Sequence, residues 1–476
     1  MTNDQDYLAK APLWRALAHL CIPMMAALSV NTVYSIVNAG FIGSLHSTAL
    51  LAAITYGIPV LALVMAVGGV FGVGAGTAIS RLLGGLEEHP EKSDDIRAMS
   101  AFAVYGSLIV GAVVGGVCLL LIGPVTAALG ATGAAVHPTA VFVGVQLAFT
   151  PVLTLVFTLE QLVRAEGAAK ASMTGLIVST IANLAFDVLF ILVLGWGVAG
   201  AALAVGLANL VSVAYFTHHL IRRSVVQSLA PRWFTLRAAV AKEVFGVGVS
   251  ELLQSGFLLV SALVLNHIAT HYGENLLAGF GVAQRVVQFP EFLCMGVSLG
   301  VLPLFGFTYG RRDVARLHGA IVRSALAVGA LVVAFALPVF LLRGDVFVLF
   351  TADRSLQRLG ATILMALLVS TLFNGFTGIF VALFQATGQS GPAIVMSVMQ
   401  GVLFVPIVVA ANAFVGENGV IWSMAVTEVL MFFAAAGIFA ARRGTILAPT
   451  VTEAAAVEEA EEAAAEDAPV LAYPRW

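Results

Sequence analysis

Residues 165–208 read AEGAAKASMTGLIVSTIANLAFDVLFILVLGWGVAGAALAVGLA. Two apolar runs, 168–194 and 197–221, meet at Trp196, and each is long enough to cross a hydrocarbon core of about 30 Å as a helix. Near the middle of the first run stands Asp187. A carboxyl group at that depth in hydrocarbon is expensive, so it is ordinarily kept for function. Asn183 lies four residues earlier and shares its helix face. This stretch therefore sets the class of fold: helices in a bilayer, one of which carries a working acid.

The rest of the chain agrees. Of 476 residues, 60% are hydrophobic and 10% are charged, whereas soluble globular chains carry about 25% charged residues. Membrane-length runs are predicted near 14–42, 52–80, 99–127, 137–163, 168–194, 197–221, 244–270, 277–308, 319–342, 357–385, 391–413 and 417–441. Runs longer than a straight span imply tilted or kinked helices. The expected fold is all-α: a polytopic membrane protein of about twelve transmembrane helices in two six-helix lobes.

Basic residues orient the bundle. Lys10 and Arg15 precede the first span, Arg81, Lys92 and Arg97 follow the second, and Arg164 and Lys170 flank the next connection on that side. Arg222, Arg223, Arg232, Arg237 and Lys242 lie between spans six and seven, Arg311, Arg312, Arg316 and Arg323 follow span eight, and Arg442 and Arg443 follow span twelve. The other side has Arg343, Arg354 and Arg358 in one loop. The positive-inside rule then puts both termini in the cytoplasm of an inner (plasma) membrane protein. Asp4, Asp6 and the long first run argue against a cleavable signal. Cys21, Cys118 and Cys294 fall inside spans, so free buried thiols are expected, with neither disulfide nor metal spacing. Trp14, Trp196 and Trp422 fall at span ends, where an aromatic belt belongs. The expected organisation is a cytoplasmic N-terminus (1–13), an N-lobe (14–221), a basic linker (222–243), a C-lobe (244–441) and an acidic, disordered tail (442–476).

The lobes read as a duplication. Ala165-Glu166-Gly167 recurs as Ala386-Thr387-Gly388, Gly197-Val198 as Gly419-Val420, and Leu51-Ala52 as Leu277-Ala278, at offsets of 221, 222 and 226. Each half holds an even number of spans, so the repeat is parallel and its axis runs along the membrane normal. Adding 221 to Asp187 gives Val408, so the acid belongs to the first lobe only.

In order, spacing and duplication, a set of fragments resembles the multidrug and toxic compound extrusion (MATE) family over roughly residues 13–442. They are CIPMMAALSVNTVYSIVNAGFIG (21–43), GVGAGTAISRLLGG (72–85), RAEGAAKASM (164–173) with the Asn183/Asp187 pair, and GWGVAGAALA (195–204). The second lobe adds GVSELLQSG (248–256), LAGFGVAQRV (277–286), LPLFGFTYGRRDVARLHGA (302–320) and FQATGQSGPA (384–393). The resemblance implies export of drug-like, often cationic amphiphiles, coupled to protons or sodium ions, with no cofactor. Many relatives have an acid fifteen residues after the proline of the first helix. Here that position, counted from the kink residue Pro23, is Asn38. A two-acid ion site is thereby reduced to Asp187, with Asn183 and Asn38 beside it.

Other polar residues inside spans are candidates for a substrate cavity: Gln146, Glu251, Gln254, Arg285, Glu291 and Glu428, with Gln284, Gln288 and Asn374 nearby. Each has a plainer reading. Glu251 sits about 10 Å from the predicted end of span seven and could be an interfacial acid. Arg285 more readily neutralises an acid than binds an anion, and the amides can simply bond between helices. Gly68, Gly72 and Gly76 form a small-residue row suited to close helix contact. Phe142, Phe149 and Phe157 read as packing before they read as a drug-binding wall. Gly296-Val297-Ser298-Leu299-Gly300 matches a nucleophile-elbow pattern but lies in a span, and no Walker A or H-E-x-x-H sequence occurs.

The sequence thus predicts a secondary transporter, not an enzyme, that exports lipophilic cations. It is expected to act as a monomer in the bilayer on small-molecule substrates, without nucleic acid. A lipid-linked-saccharide flippase would want a larger basic cavity. An intramembrane enzyme or receptor would want a catalytic constellation or a soluble domain.

Overall fold

Every long apolar run is helical in the computed structural model, which describes residues 3–44, 48–224, 226–348 and 353–447. The side chains of residues 3–5, 35–44, 48–52, 274, 345, 346 and 355 lie outside what it describes, as do residues 448–476, which cover most of the expected acidic tail. The helices are α1 (Asn3–Ala9), α2 (Leu13–Ser44), α3 (Thr48–Gly84), α4 (Lys92–Leu120), α5 (Ile122–Ala128), α6 (Val136–Ala148), α7 (Thr150–Ala165), α8 (Ala169–Asp187) and α9 (Gly197–Arg223). The second half contributes α10 (Ala238–Thr270), α11 (Glu274–Gly310), α12 (Val314–Leu341), α13 (Arg343–Val348), α14 (Arg354–Ala386), α15 (Ser390–Val415) and α16 (Glu417–Ile446). Among the described residues, eleven helices are long and apolar enough to cross a membrane, and α6 with α7 makes a twelfth, bent span.

Three predicted spans are interrupted, each for a local reason. The run 137–163 bends by 52° between α6 and α7. Pro151 sits in the first turn of α7, where its missing N–H is harmless but its ring forbids a straight helix through the residues before it. The run 99–127 breaks at Leu121, with φ −101° and ψ 28°. Pro124 would clash with the carbonyl four residues back, that of Leu120, and α4 ends there. The run 168–194 changes character at Asp187: α8 passes into a π-helical turn, Val188–Val193, closed by Leu194 N to Leu189 O at 2.9 Å. Rings of Phe186, Phe190 and Trp196 stack along this wide turn, and Gly200 packs against Phe190. Pro23 lies within α2 without interrupting it.

The two halves pack by the same plan. In the first, α3 meets α4 and α7, α7 meets α4 and α9, α8 meets α9, and α2 meets α8. In the second, α11 meets α12 and α14, α14 meets α12 and α16, α15 meets α16, and α10 meets α15. Backbone geometry repeats too. Gly167 (φ +82°) and Gly388 (φ +71°) close equivalent turns, as do Gly195 (+68°) and Gly416 (+72°), both pairs 221 residues apart. These φ values are open to glycine at no steric cost. The segment after α9 is not a loose tether. Gln227 Nε2 donates to Leu162 O at 2.8 Å, Tyr105 Oη to Leu229 O at 2.8 Å, and Arg97 stacks over Trp233.

The lobes meet through α3 with α10, α2 with α11, and α3 with α11, which is the pattern a parallel two-fold axis requires. Small residues set the spacing. A Cβ on Gly74 would overlap the Val244 carbonyl, one on Gly248 the Val70 carbonyl, and one on Gly310 the Arg81 carbonyl. Gly296 and Gly300 of α11 lie against Met25 and Cys21 of α2. With lipid as apolar as leucine, helices associate through this kind of close van der Waals contact. The row Gly68, Gly72 and Gly76 serves the other face of α3, against Thr154, Thr158 and Gln161 of α7.

Candidate functional site

Asp187 is 3% exposed and Asn183 6% exposed, side by side on the face of α8 that packs against α2. Between them sits Tyr34 of α2. Its hydroxyl is hydrogen-bonded to Asn183 and lies 3.2 Å from Asp187 Oδ2. As oriented, the Asn183 Nδ2 group is buried without a partner. A phenol has one proton to give. Exchanging the amide oxygen and nitrogen, which leaves the side-chain shape unchanged, lets Asn183 Nδ2 donate to Tyr34 and Tyr34 donate to the Asp187 carboxylate, and it is then the amide oxygen that is buried without a donor among the described residues. The carboxylate is thus held on α2 by a neutral donor, and among the described residues no ion pair is made to it. The π-turn begins at the next residue, Val188, and such turns recur at functional sites.

Sequence reading passed over Tyr34, although it lies one turn before Asn38 on the same helix. A tyrosine in a span is common enough that only its spacing to Asn38 pointed to it. The Asn38 side chain lies outside the described residues.

A second polar cluster straddles the lobe seam. Arg164, which by its place beside a connection would be a loop charge, is 3% exposed. Its guanidinium stands 3.5 Å from Glu160 one turn away and 3.9 Å from Met24 Sδ of α2. Glu160 also accepts from Ser172 Oγ at 3.2 Å. From the other lobe comes Glu251, half-buried at the seam. It accepts from Gln385 Nε2 at 2.7 Å, packs on Gly69, and interacts electrostatically with Arg164. Its charge is therefore matched across the seam.

A third cluster lies within the C-lobe. Glu291 accepts from Gln284 Nε2 at 3.1 Å and bonds Thr371. Glu428 of α16 bonds Asn374 and is within electrostatic reach of Glu291. Arg285 is exposed and forms no ion pair among the described residues, so it does not neutralise a neighbouring acid as its sequence position suggested. Gln146 is 4% exposed with Oε1 unpartnered, and Gln254 is half-buried. Phe142, Phe149 and Phe157 pack on Gly57, Gly206 and Gly68 respectively, so they fill the N-lobe interior. The structure thus gathers Asn183 with Asp187, and Glu291 with Glu428, but keeps Glu251 apart from both pairs.

At the end of the bundle where the basic residues lie, the seam is clasped. Arg81 Nη2 donates to Glu243 Oε2 at 2.6 Å, and Nη1 donates to the Ala386 carbonyl at 3.2 Å. Arg311 Nη2 pairs with Glu87 Oε2 at 3.4 Å in the opposite sense.

Two six-helix lobes on a parallel pseudo-two-fold, with a buried acid in the first, define a multi-span membrane transporter. The MatE family model matches residues 23–189 and 247–410, one segment in each lobe, and the chain belongs to that family. It is 34% identical over 429 residues to the multidrug export protein MepA of Staphylococcus aureus strain MRSA252, covering 90% of this chain and 94% of that one. MepA of Staphylococcus saprophyticus is 31% identical over 432 residues, with the same coverage. Among solved structures, a MOP superfamily transporter from Pyrococcus furiosus superposes with a TM-score of 0.85 at 24% identity, covering 94% of this chain and all of that one. An outward-facing multidrug resistance MATE transporter superposes equally well, also at 24% identity over 94% of this chain.

Proposed function

We propose that the chain is a multidrug efflux antiporter that exports lipophilic, cationic small molecules in exchange for protons or sodium ions. Asp187 is the coupling acid. The protein works in the plasma membrane with both termini on the cytoplasmic side, where its basic loops belong. The observation that carries this reading is the buried chain Asn183–Tyr34–Asp187, a carboxylate deep in a span that forms no ion pair among the described residues. Kinship with proteins named for multidrug export supports the substrate class.

The geometry suggests how exchange proceeds. Tyr34 lies nine residues beyond Met25, about 14 Å further from the basic end at 1.5 Å per residue. The pocket is thus separated from the cytoplasmic side by the seam. A proton or sodium ion arriving at Asp187 removes or balances its charge. The carboxylate's hold on Tyr34 then changes, and with it the packing of α2 on α8. A ligand shifts a two-state carrier only by binding its two states differently, and α2 is the element both the acid and the opposite lobe touch. Glu291 and Glu428 supply a pair of carboxyl groups on the C-lobe side for the cation to be exported.

The deciding experiment is ethidium efflux from cells or inverted vesicles with pH and sodium gradients imposed separately, for wild type and Asp187→Asn at matched expression. Efflux driven by either gradient in wild type and by neither in Asp187→Asn supports the reading. Equal rates remove Asp187 from the mechanism.

A further inference from the structure

At the basic end, a cavity of about 450 Å³ opens between the lobes. Its size is that of small-molecule sites, which run to about 300–1,000 Å³. The N-lobe lines it with Arg81 and Lys92, and the C-lobe with Tyr309, Arg312, Asp313 and the end of α16. The one acid in the lining, Asp313, accepts the Arg316 backbone N–H at 2.8 Å, capping α12, and its charge is met by the Arg316 guanidinium within electrostatic reach. Arg81 is held by Glu243. Lys92 and Arg312 form no ion pair among the described residues. Arg312 is also the one non-glycine residue with positive φ among those described, at 59°. A bulky residue in that conformation is unusual, and such positions cluster at ligand clamps. The turn that holds it is well made, with Arg312 N on Tyr309 O at 3.0 Å and Asp313 N on Thr308 O at 3.0 Å.

We propose that this cavity binds a phosphate-bearing anion, either the headgroup of an acidic phospholipid from the adjoining leaflet or a free phosphate. Lys92 and Arg312 supply the unpaired charge, Arg81 a fixed cationic wall, and Tyr309 a phenolic donor. Basic pockets between transmembrane helices on the cytoplasmic side are sites of this chemistry. Because one cation comes from each lobe, the anion binds best when the lobes are together. By linkage, occupancy favours the arrangement in which this end is closed. The site lies at the opposite end of α2 and α3 from Tyr34, so it acts on the equilibrium between states and not on the exchange pocket.

The test uses the purified full chain in nanodiscs of phosphatidylcholine alone, or with phosphatidylglycerol. Lipid adducts are read by native mass spectrometry and the lobe separation at this end by paired spin labels. A third arm adds inorganic phosphate to the phosphatidylcholine discs. Lys92→Gln/Arg312→Gly removes both charges, while glycine keeps the left-handed turn, so misfolding is not the cause of a loss. Lys92→Arg/Arg312→Lys keeps both charges. Wild type and the charge-keeping variant should retain the anion and show the shorter separation. The neutral variant should bind roughly thirtyfold more weakly, two basic side chains acting on an acidic headgroup. An effect of phosphatidylglycerol alone assigns a lipid, and an equal effect of inorganic phosphate assigns the free anion. Retention and separation that are the same in the neutral variant and wild type overturn the proposal, whatever the transport activity.

Discussion

Arg164 and Gln385 occupy duplicated positions and make matching contacts. Arg164 reaches Met24 on the first helix of its lobe at 3.9 Å, and Gln385 reaches Glu251 on the first helix of the other lobe at 2.7 Å. Duplication gave two equivalent sites, and their charges have diverged so that a cation of one lobe faces an acid of the other. A buried charge that loses its partner costs about 3–5 kcal/mol. Arg164→Gln or Glu251→Gln alone should therefore lower the unfolding midpoint in detergent. The double variant still leaves Glu160 without Arg164, so it should recover only the part of the loss that Arg164 and Glu251 share. Additive losses in this double-mutant cycle would show that the two residues do not interact.

Tyr34→Phe keeps the ring and deletes the hydroxyl that links Asn183 to Asp187. Hydrogen bonds to charged groups contribute about 1.5–3 kcal/mol. Efflux driven by the coupling gradient should fall about tenfold or more, with expression and unfolding midpoint close to wild type. A wild-type rate would confine Tyr34 to packing.

Asn38→Asp restores an acid one turn from Tyr34. Two carboxylates in one pocket repel unless a proton or metal cation joins them. The variant should change its response to imposed pH or sodium gradients, read as ethidium efflux under each. Identical profiles in both gradients would place position 38 outside the ion site.

Gly74→Val puts branched carbon into the Val244 carbonyl, and Gly248→Val does so against Val70. Neither can be absorbed by a flexible side chain, because the opposing atoms are backbone. Spin-label distances across the basic end should lengthen in both variants, and transport should fall with intact insertion. Unchanged distances would show that α3 and α10 can part locally without moving the lobes.

Much of this molecule is legible in sequence because a bilayer leaves few choices. Long apolar runs must be helices, and the turns at Gly167 and Gly388 recur at one offset because both demand positive φ. Asp187 and Asn183 stand out because polar groups are rare in such runs. The bends at Pro151 and Leu121 were masked by hydropathy, which averages over the prolines that cause them. Arg164 was misplaced because a charge near a predicted span end reads as a loop residue, and only tertiary packing shows Glu160, Met24 and Glu251 around it. The Arg81–Glu243 clasp joins residues 162 positions apart in different lobes, a pairing no local pattern announces.

The glycine contacts along the seam bear on the host cell's energy supply. On the ion-coupled reading proposed above, the carrier must not also short-circuit the gradient it uses. Where Gly74 and Gly248 let backbone touch backbone, there is no room for a file of water molecules between the lobes at those points. The join is therefore an electrical insulator as well as a hinge surface. Enlarging those glycines would open a slit along it, and the expected harm is a membrane that leaks ions even when no drug is present.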